Sequence, residues 1–369
     1  MTQKRMFLVI IFFLVGSTVC GSAGGLQETH SPDASRCASP RFAVHFSKGE
    51  FVWRRPLLQL TAVNHSGMIV VYDAHKLEVF DRGLHQNAGQ IPVALGVVAL
   101  AISNLGTIAW LESDPEKSNA ALEVHVFRDG HESHGTPFPR QAWKVPQTWP
   151  ELYFAGERLY ISEQGGKLTE VRIGKSGYEG AMVEVPPTET SDLTAALPRG
   201  GIIQYRWRTH KPTRFGIDDT IKSSTTFFAN LFALREGRGV DLRADWPVRE
   251  WQETDRGIIF LGSRLSSTGF GPWVHLLRKS DGQEVARLIP MDANCWVTGM
   301  DLFDQSSKVA VLLKGGLIQV LDAANLGIID QILLPTSVEY GAADDVVALS
   351  TRRFVVRTGS GLAVVDTLR

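Results

Sequence analysis

The sequence predicts an all-β protein, a single β-propeller of seven four-stranded blades with an N-terminal strand closing the last blade. Three observations predict it. Past residue 40 there are few helical stripes, and short β-rich runs cut by Gly, Asn, Asp and Ser stand in their place. The runs recur in one order: an apolar strand, a turn, a second strand, a turn, and a third strand ending in a charged turn. The second strands centre near residues 70, 109, 160, 203, 259, 310 and 355, steps of 39 to 56 residues that suit a four-stranded blade.

Ahead of the repeat, Lys4 and Arg5 precede the apolar run Met6–Val15, and the small residues Gly16, Ser17, Gly21, Ser22 and Ala23 follow. That charge–apolar–small order reads as a secretory signal over residues 1–23, cleaved after Ala23. The apolar run falls short of the roughly 20 residues that cross a bilayer as a helix. The alternative is lipidation at Cys20, which would tether the protein to a membrane. Val19 before it is larger than the Gly or Ala usual at that place. The expected location is therefore periplasmic or extracellular, with a membrane as partner only if Cys20 is lipidated.

Residues 24–40 read as a flexible lead-in and 41–369 as the propeller domain. Without the signal the chain carries 36 basic and 39 acidic residues, a balance that argues against nucleic acid as partner. Cys37 and Cys295 then remain, and two cysteines in an oxidising compartment predict one disulfide.

The blade pairs, second strand then third, are Met68–Tyr72 with Leu77–Phe80, Thr107–Leu111 with Leu122–Phe127, and Arg158–Ser162 with Leu168–Ile173. Gly201–Trp207 with Leu231–Leu234 and Ile258–Gly262 with Val274–Leu277 follow. The last are Val309–Leu313 with Leu317–Leu321 and Phe354–Arg357 with Leu362–Val365. Such a sheet is apolar on both faces and needs neighbours on both sides, which radial packing supplies. Leu362–Val365 is only the third strand of its blade, so Phe42–Phe46 is expected to supply the fourth. That closure would bring Cys37 toward Cys295.

Leu317–Gly327 (LIQVLDAANLG) and His275–Val285 (HLLRKSDGQEV) resemble third-strand-and-turn segments of bacterial propellers. The resemblance is to the quinoprotein-dehydrogenase-like and seven-bladed YVTN-type superfamilies, and it implies the propeller architecture. Quinone-binding members usually carry a Trp after the turn glycine and often a vicinal cysteine pair. Here Ile328, Ile329 and Asp330 follow Gly327 and no cysteines are adjacent, so no cofactor is expected.

No local motif carries chemistry. Asp344-Asp345, Asp218-Asp219 and Asp301 with Asp304 are the acidic pairs available for acid–base work, and each also reads as a solvated turn. His131 and His134 in GHESHG are the candidate metal ligands, on what the flanking glycines make an exposed loop. Asn64-His65 and Asp73-Ala74-His75 sit at blade-one turns, and Asn64-His65-Ser66 is a glycosylation sequon. Gly165-Gly166 and Gly315-Gly316 read as hairpin turns rather than phosphate cradles. No Gly-x-Ser-x-Gly elbow is present.

The most unusual segment is basic: Arg206, Trp207, Arg208, His210, Lys211 and Arg214 lie within nine residues that contain no acid. The stretch to about Asn230 is read as a long loop, where function commonly sits on a rigid scaffold. Of nine tryptophans most are assigned to inter-blade core, with Trp246 and Trp251 assigned to a loop and so to an exposed recognition surface. The functional expectation is an exported, monomeric, non-enzymatic module that binds a protein or an anionic or glycan ligand through loops on one propeller face. The alternative is a propeller hydrolase or lyase with Asp, His and Asn residues lining the central funnel.

Overall fold

A computed structural model describes residues 47–56, 60–73, 75–93, 96–113, 122–128, 131–134, 151–163, 167–174, 177–183, 193–199, 201–209, 225–233, 239–244, 248–266, 269–288, 295, 297–335, 343–358 and 361–367. Every blade runs from the axis outward in chain order, each strand antiparallel to the next. The chain starts with β1 (Ser47–Pro56). Blade 1 then holds β2 (Thr61–Val63), β3 (Ile69–Asp73), β4 (Lys76–Phe80) and β5 (Gln86–Pro92). Blade 2 holds β6 (Gly96–Ile102), β7 (Ile108–Ser113), β8 (Glu123–Arg128) and β9 (His131–His134). Blade 3 holds β10 (Glu151–Ala155), β11 (Arg158–Glu163), β12 (Lys167–Gly174) and β13 (Gly177–Met182).

Blade 4 is built from β14 (Leu193–Ala196), β15 (Gly201–Thr209), β16 (Thr225–Ala233) and β17 (Gly239–Ala244). Blade 5 follows with β18 (Val248–Glu253), β19 (Gly257–Ser266), β20 (Gly269–Arg278) and β21 (Glu284–Leu288). Blade 6 has β22 (Val297–Phe303), β23 (Lys308–Leu313), β24 (Leu317–Asp322) and β25 (Ile328–Leu333). Blade 7 has β26 (Ala343–Ala348), β27 (Arg353–Thr358) and β28 (Gly361–Thr367), and its fourth strand is β1.

The first strands of successive blades touch, β2 with β6, β6 with β10, β18 with β22 and β22 with β26, which sets them around the axis. The second strand of every blade matches its sequence assignment to within a few residues. The reason is visible in the side chains. Ile258 and Phe260 pack toward blade 4, while Ile259 and Leu261 pack toward blade 6. Strand periodicity sends neighbours to opposite faces, and since both faces are buried the run must be apolar throughout. Six apolar clusters of this kind fill the blade junctions.

Hydrogen bonds stitch the same junctions near the axis. Asn64 Nδ2 donates to the Ser103 carbonyl (2.7 Å) between blades 1 and 2, and the Leu105 N–H to Glu157 Oε1 (3.2 Å) between blades 2 and 3. The Ala196 N–H donates to the Tyr153 hydroxyl (2.7 Å), and the Arg199 N–H to Glu253 Oε2 (3.2 Å). Gln252 donates to the Met300 carbonyl (3.3 Å) and accepts from the Leu302 N–H. Gly299 brings β22 against β26, where an added Cβ would lie 3.0 Å from the Asp345 Cα.

Closure uses β1. It pairs antiparallel with β28 from Gly49↔Thr367 to Pro56↔Gly361, and its first residues pair parallel with β25 (Ser47↔Ile332, Lys48↔Leu333). One strand thus ties blades 6 and 7, and Arg55 extends the tie to blade 1 through ion pairs with Glu78 and Asp73. The N-terminal strand closes the last blade as the sequence requires, but it is Ser47–Pro56; Phe42–Phe46 lies outside the described residues. Among the described residues no helix is long and apolar enough to cross a membrane.

Candidate functional site

Alternating strand direction gives the ring two ends. Turns from first to second strand lie at one end, and turns from second to third strand lie at the other. The sequence-predicted residues divide between them.

At the first-to-second-turn end, β2 leads into Asn64-His65 and β22 carries Asp301. His65 Nε2 lies 3.1 and 3.3 Å from the two Asp301 carboxylate oxygens, 236 residues away in sequence. Asp301 is fully buried, and Oδ2 also accepts the Ala348 N–H from β26 at 2.8 Å. Three blades therefore meet on one carboxylate: blade 1 through His65, blade 6 through Asp301 and blade 7 through Ala348. The acceptor carboxylate sets the hydrogen on Nε2 when the imidazole is neutral. His65, a blade-one turn residue, and Asp301, an acid–base candidate paired in sequence with Asp304, thus form one contact, a long-range pairing that no local spacing could have revealed.

The other candidates fare differently. Asp304 is a turn residue with φ 51°, paired with Lys308 Nζ at 2.7 Å, so it does not share a site with Asp301. The Lys308 ammonium, by hydrogen bond and then by charge, holds the exposed Asp304 carboxyl below the usual range. Asp344 and Asp345 lie on strand β26 instead of in a turn, because Val346-Val347-Ala348 carries the strand on to the axis. Asp218-Asp219 lies outside the described residues. His75 is exposed at the second-to-third turn, so it is at the opposite end of blade 1 from His65. Asn64 is buried, with its amide engaged by Ser103, Ser66 and the Met68 N–H, which removes the sequon from use in the folded chain. Gly315 and Gly316 form the β23–β24 turn with φ of 97° and 87°.

His131 and His134 do not lie in a loop. They begin and end β9, registered against Arg128 and His125 of β8. Its short run of polar residues hid it as a strand, and a spacing of three does not keep two strand residues on one face. Among the described residues no group of three or more His, Cys, Asp or Glu is placed to hold a metal. Trp251, assigned to an exposed loop, is on β18 and 6% exposed in the core shared by blades 3, 4 and 5. Its flanking polar residues concealed an alternating first strand. Trp246 lies outside the described residues, as does Cys37.

The second-to-third-turn end carries the basic segment. Arg206, Trp207 and Arg208 are on β15, while His210, Lys211 and Arg214 lie outside the described residues. The expected loop to Asn230 is shorter than the sequence suggested, since β16 starts at Thr225 and pairs Arg206↔Phe228, Trp207↔Phe227 and Arg208↔Thr226. Thr225-Thr226-Phe227-Phe228 is itself β-branched and aromatic, a strand signal masked by the charge run before it. Among the described residues, β14 pairs on the axis side with Ile202 to Tyr205. Residues 184–192, which lead into β14, lie outside the described residues.

No family model and no curated protein matches the chain. Solved structures match its fold. The Kuenenia stuttgartiensis hydrazine synthase aligns over 93% of this chain and 99% of its own, with TM-score 0.54 and 12% identity. The C-terminal WD40 domain of Sif2 aligns over 88% and 100%, with TM-score 0.53 and 11% identity. The Myceliophteria thermophila Cps50 (Swd1) β-propeller domain aligns over 87% and 100%, with TM-score 0.52 and 7% identity. At these identities the likeness is to the propeller fold. It does not single out the quinoprotein-dehydrogenase-like or YVTN-type branch.

Proposed function

We propose that the protein is an exported, monomeric, non-enzymatic interaction scaffold that binds an anionic protein or glycan through the second-to-third-turn end of blade 4. The observation that carries this is the basic segment Arg206–Arg214, which starts on the β15–β16 hairpin at that end of blade 4, on a chain whose overall charge is −1. Arg and Trp residues near a turn on a rigid ring are the composition of binding hot spots. Export is supported by the charge–apolar–small order of residues 1–23 and by Cys295, which is buried and disulfide-bonded. Cys37 is the partner we assign to it, since Cys20 departs with the signal.

The test is retention of the mature protein on immobilised dextran sulfate and on immobilised poly-glutamate. Salt-sensitive retention on at least one, lost in R206Q/R208Q/K211Q/R214Q, is the expected result. Equal retention of the variant on both would overturn the assignment of the site.

A second reading, a hydrolase or lyase, rests on the His65–Asp301 pair. A general base needs its proton-accepting nitrogen beside a reacting group. Here the carboxylate is shared with the Ala348 backbone, which suits a closing contact between blades. A hydrolytic turnover abolished by His65→Asn, with the melting curve unchanged, would establish the enzyme instead.

A further inference from the structure

We draw no further inference here: the strongest candidate, the buried His125 cluster of blade 2, with its imidazole stacked on Trp110 and its Nε2 3.7 Å from Glu112 and 3.5 Å from Glu123, is among the described groups not placed to hold a metal, and nothing else in the structure shows what would bind there.

Discussion

Asp301 shows how much one side chain can hold in a ring. A fully buried carboxylate needs partners for its charge, and it takes one from each of the two blades on its closing side. Asp301→Ala leaves the Ala348 N–H and His65 without it, and removing one partner of a buried pair costs about 3 kcal/mol. The urea midpoint should fall accordingly, and an unchanged midpoint would contradict the closing role. Tyr153 makes a second prediction. Burial pushes its phenol well above the usual range, with the hydrogen bond from the Ala196 N–H opposing and weaker. A folded pKa raised above the unfolded value means that its stabilising contribution is complete below about pH 10. The contribution is lost as pH rises from there through the folded value. Tyr153→Phe should cost about 1 kcal/mol or more at neutral pH through the unpaired Ala196 N–H. The variant's stability should also decline less steeply above pH 10; a parallel decline in both proteins would refute the assignment.

At the scale of the element, legibility followed burial. The second strands Ile258–Gly262, Val309–Leu313 and Phe354–Arg357 are apolar on both faces, so they could be read directly, and the structure places strands over all of them. The strands that escaped were polar or edge elements. β9 is His-Glu-Ser-His, and the far part of β16 follows a basic run that reads as loop. The closing strand β1 was legible as a need of blade 7, but its place was not, because Phe42–Phe46 and Phe51-Val52-Trp53 offer similar apolar character. The His65–Asp301 contact was not legible at all, since nothing local links positions 236 residues apart. Trp251 gives the test at this scale. As a side chain in the core of three blades, Trp251→Ala should cost about 3–5 kcal/mol by chemical denaturation. A loss below about 0.5 kcal/mol, the usual range for surface changes, would return it to the exposed loop.

For the whole molecule, closure rests on β1. A chain beginning at Leu57 lacks the strand that covers β28 and links it to β25. It should melt lower than the mature protein and self-associate through the uncovered edge, as sedimentation velocity would show. A monomer of undiminished melting temperature would contradict non-covalent closure. Reduction of the Cys37–Cys295 bridge we assign should lower stability by a few kcal/mol, given the long loop it closes.

Seven blades joined at the axis make a ring whose proposed binding end carries the start of the basic segment on β15. The most direct measurement of what that end is for is hydrogen exchange on the mature protein with and without whichever of dextran sulfate and poly-glutamate it retains. The account predicts slowed exchange at residues 206–209, with the turns at His65 and at 103–106 unchanged. Protection gathered around His65 and Asp301, with none at 206–209, would contradict it.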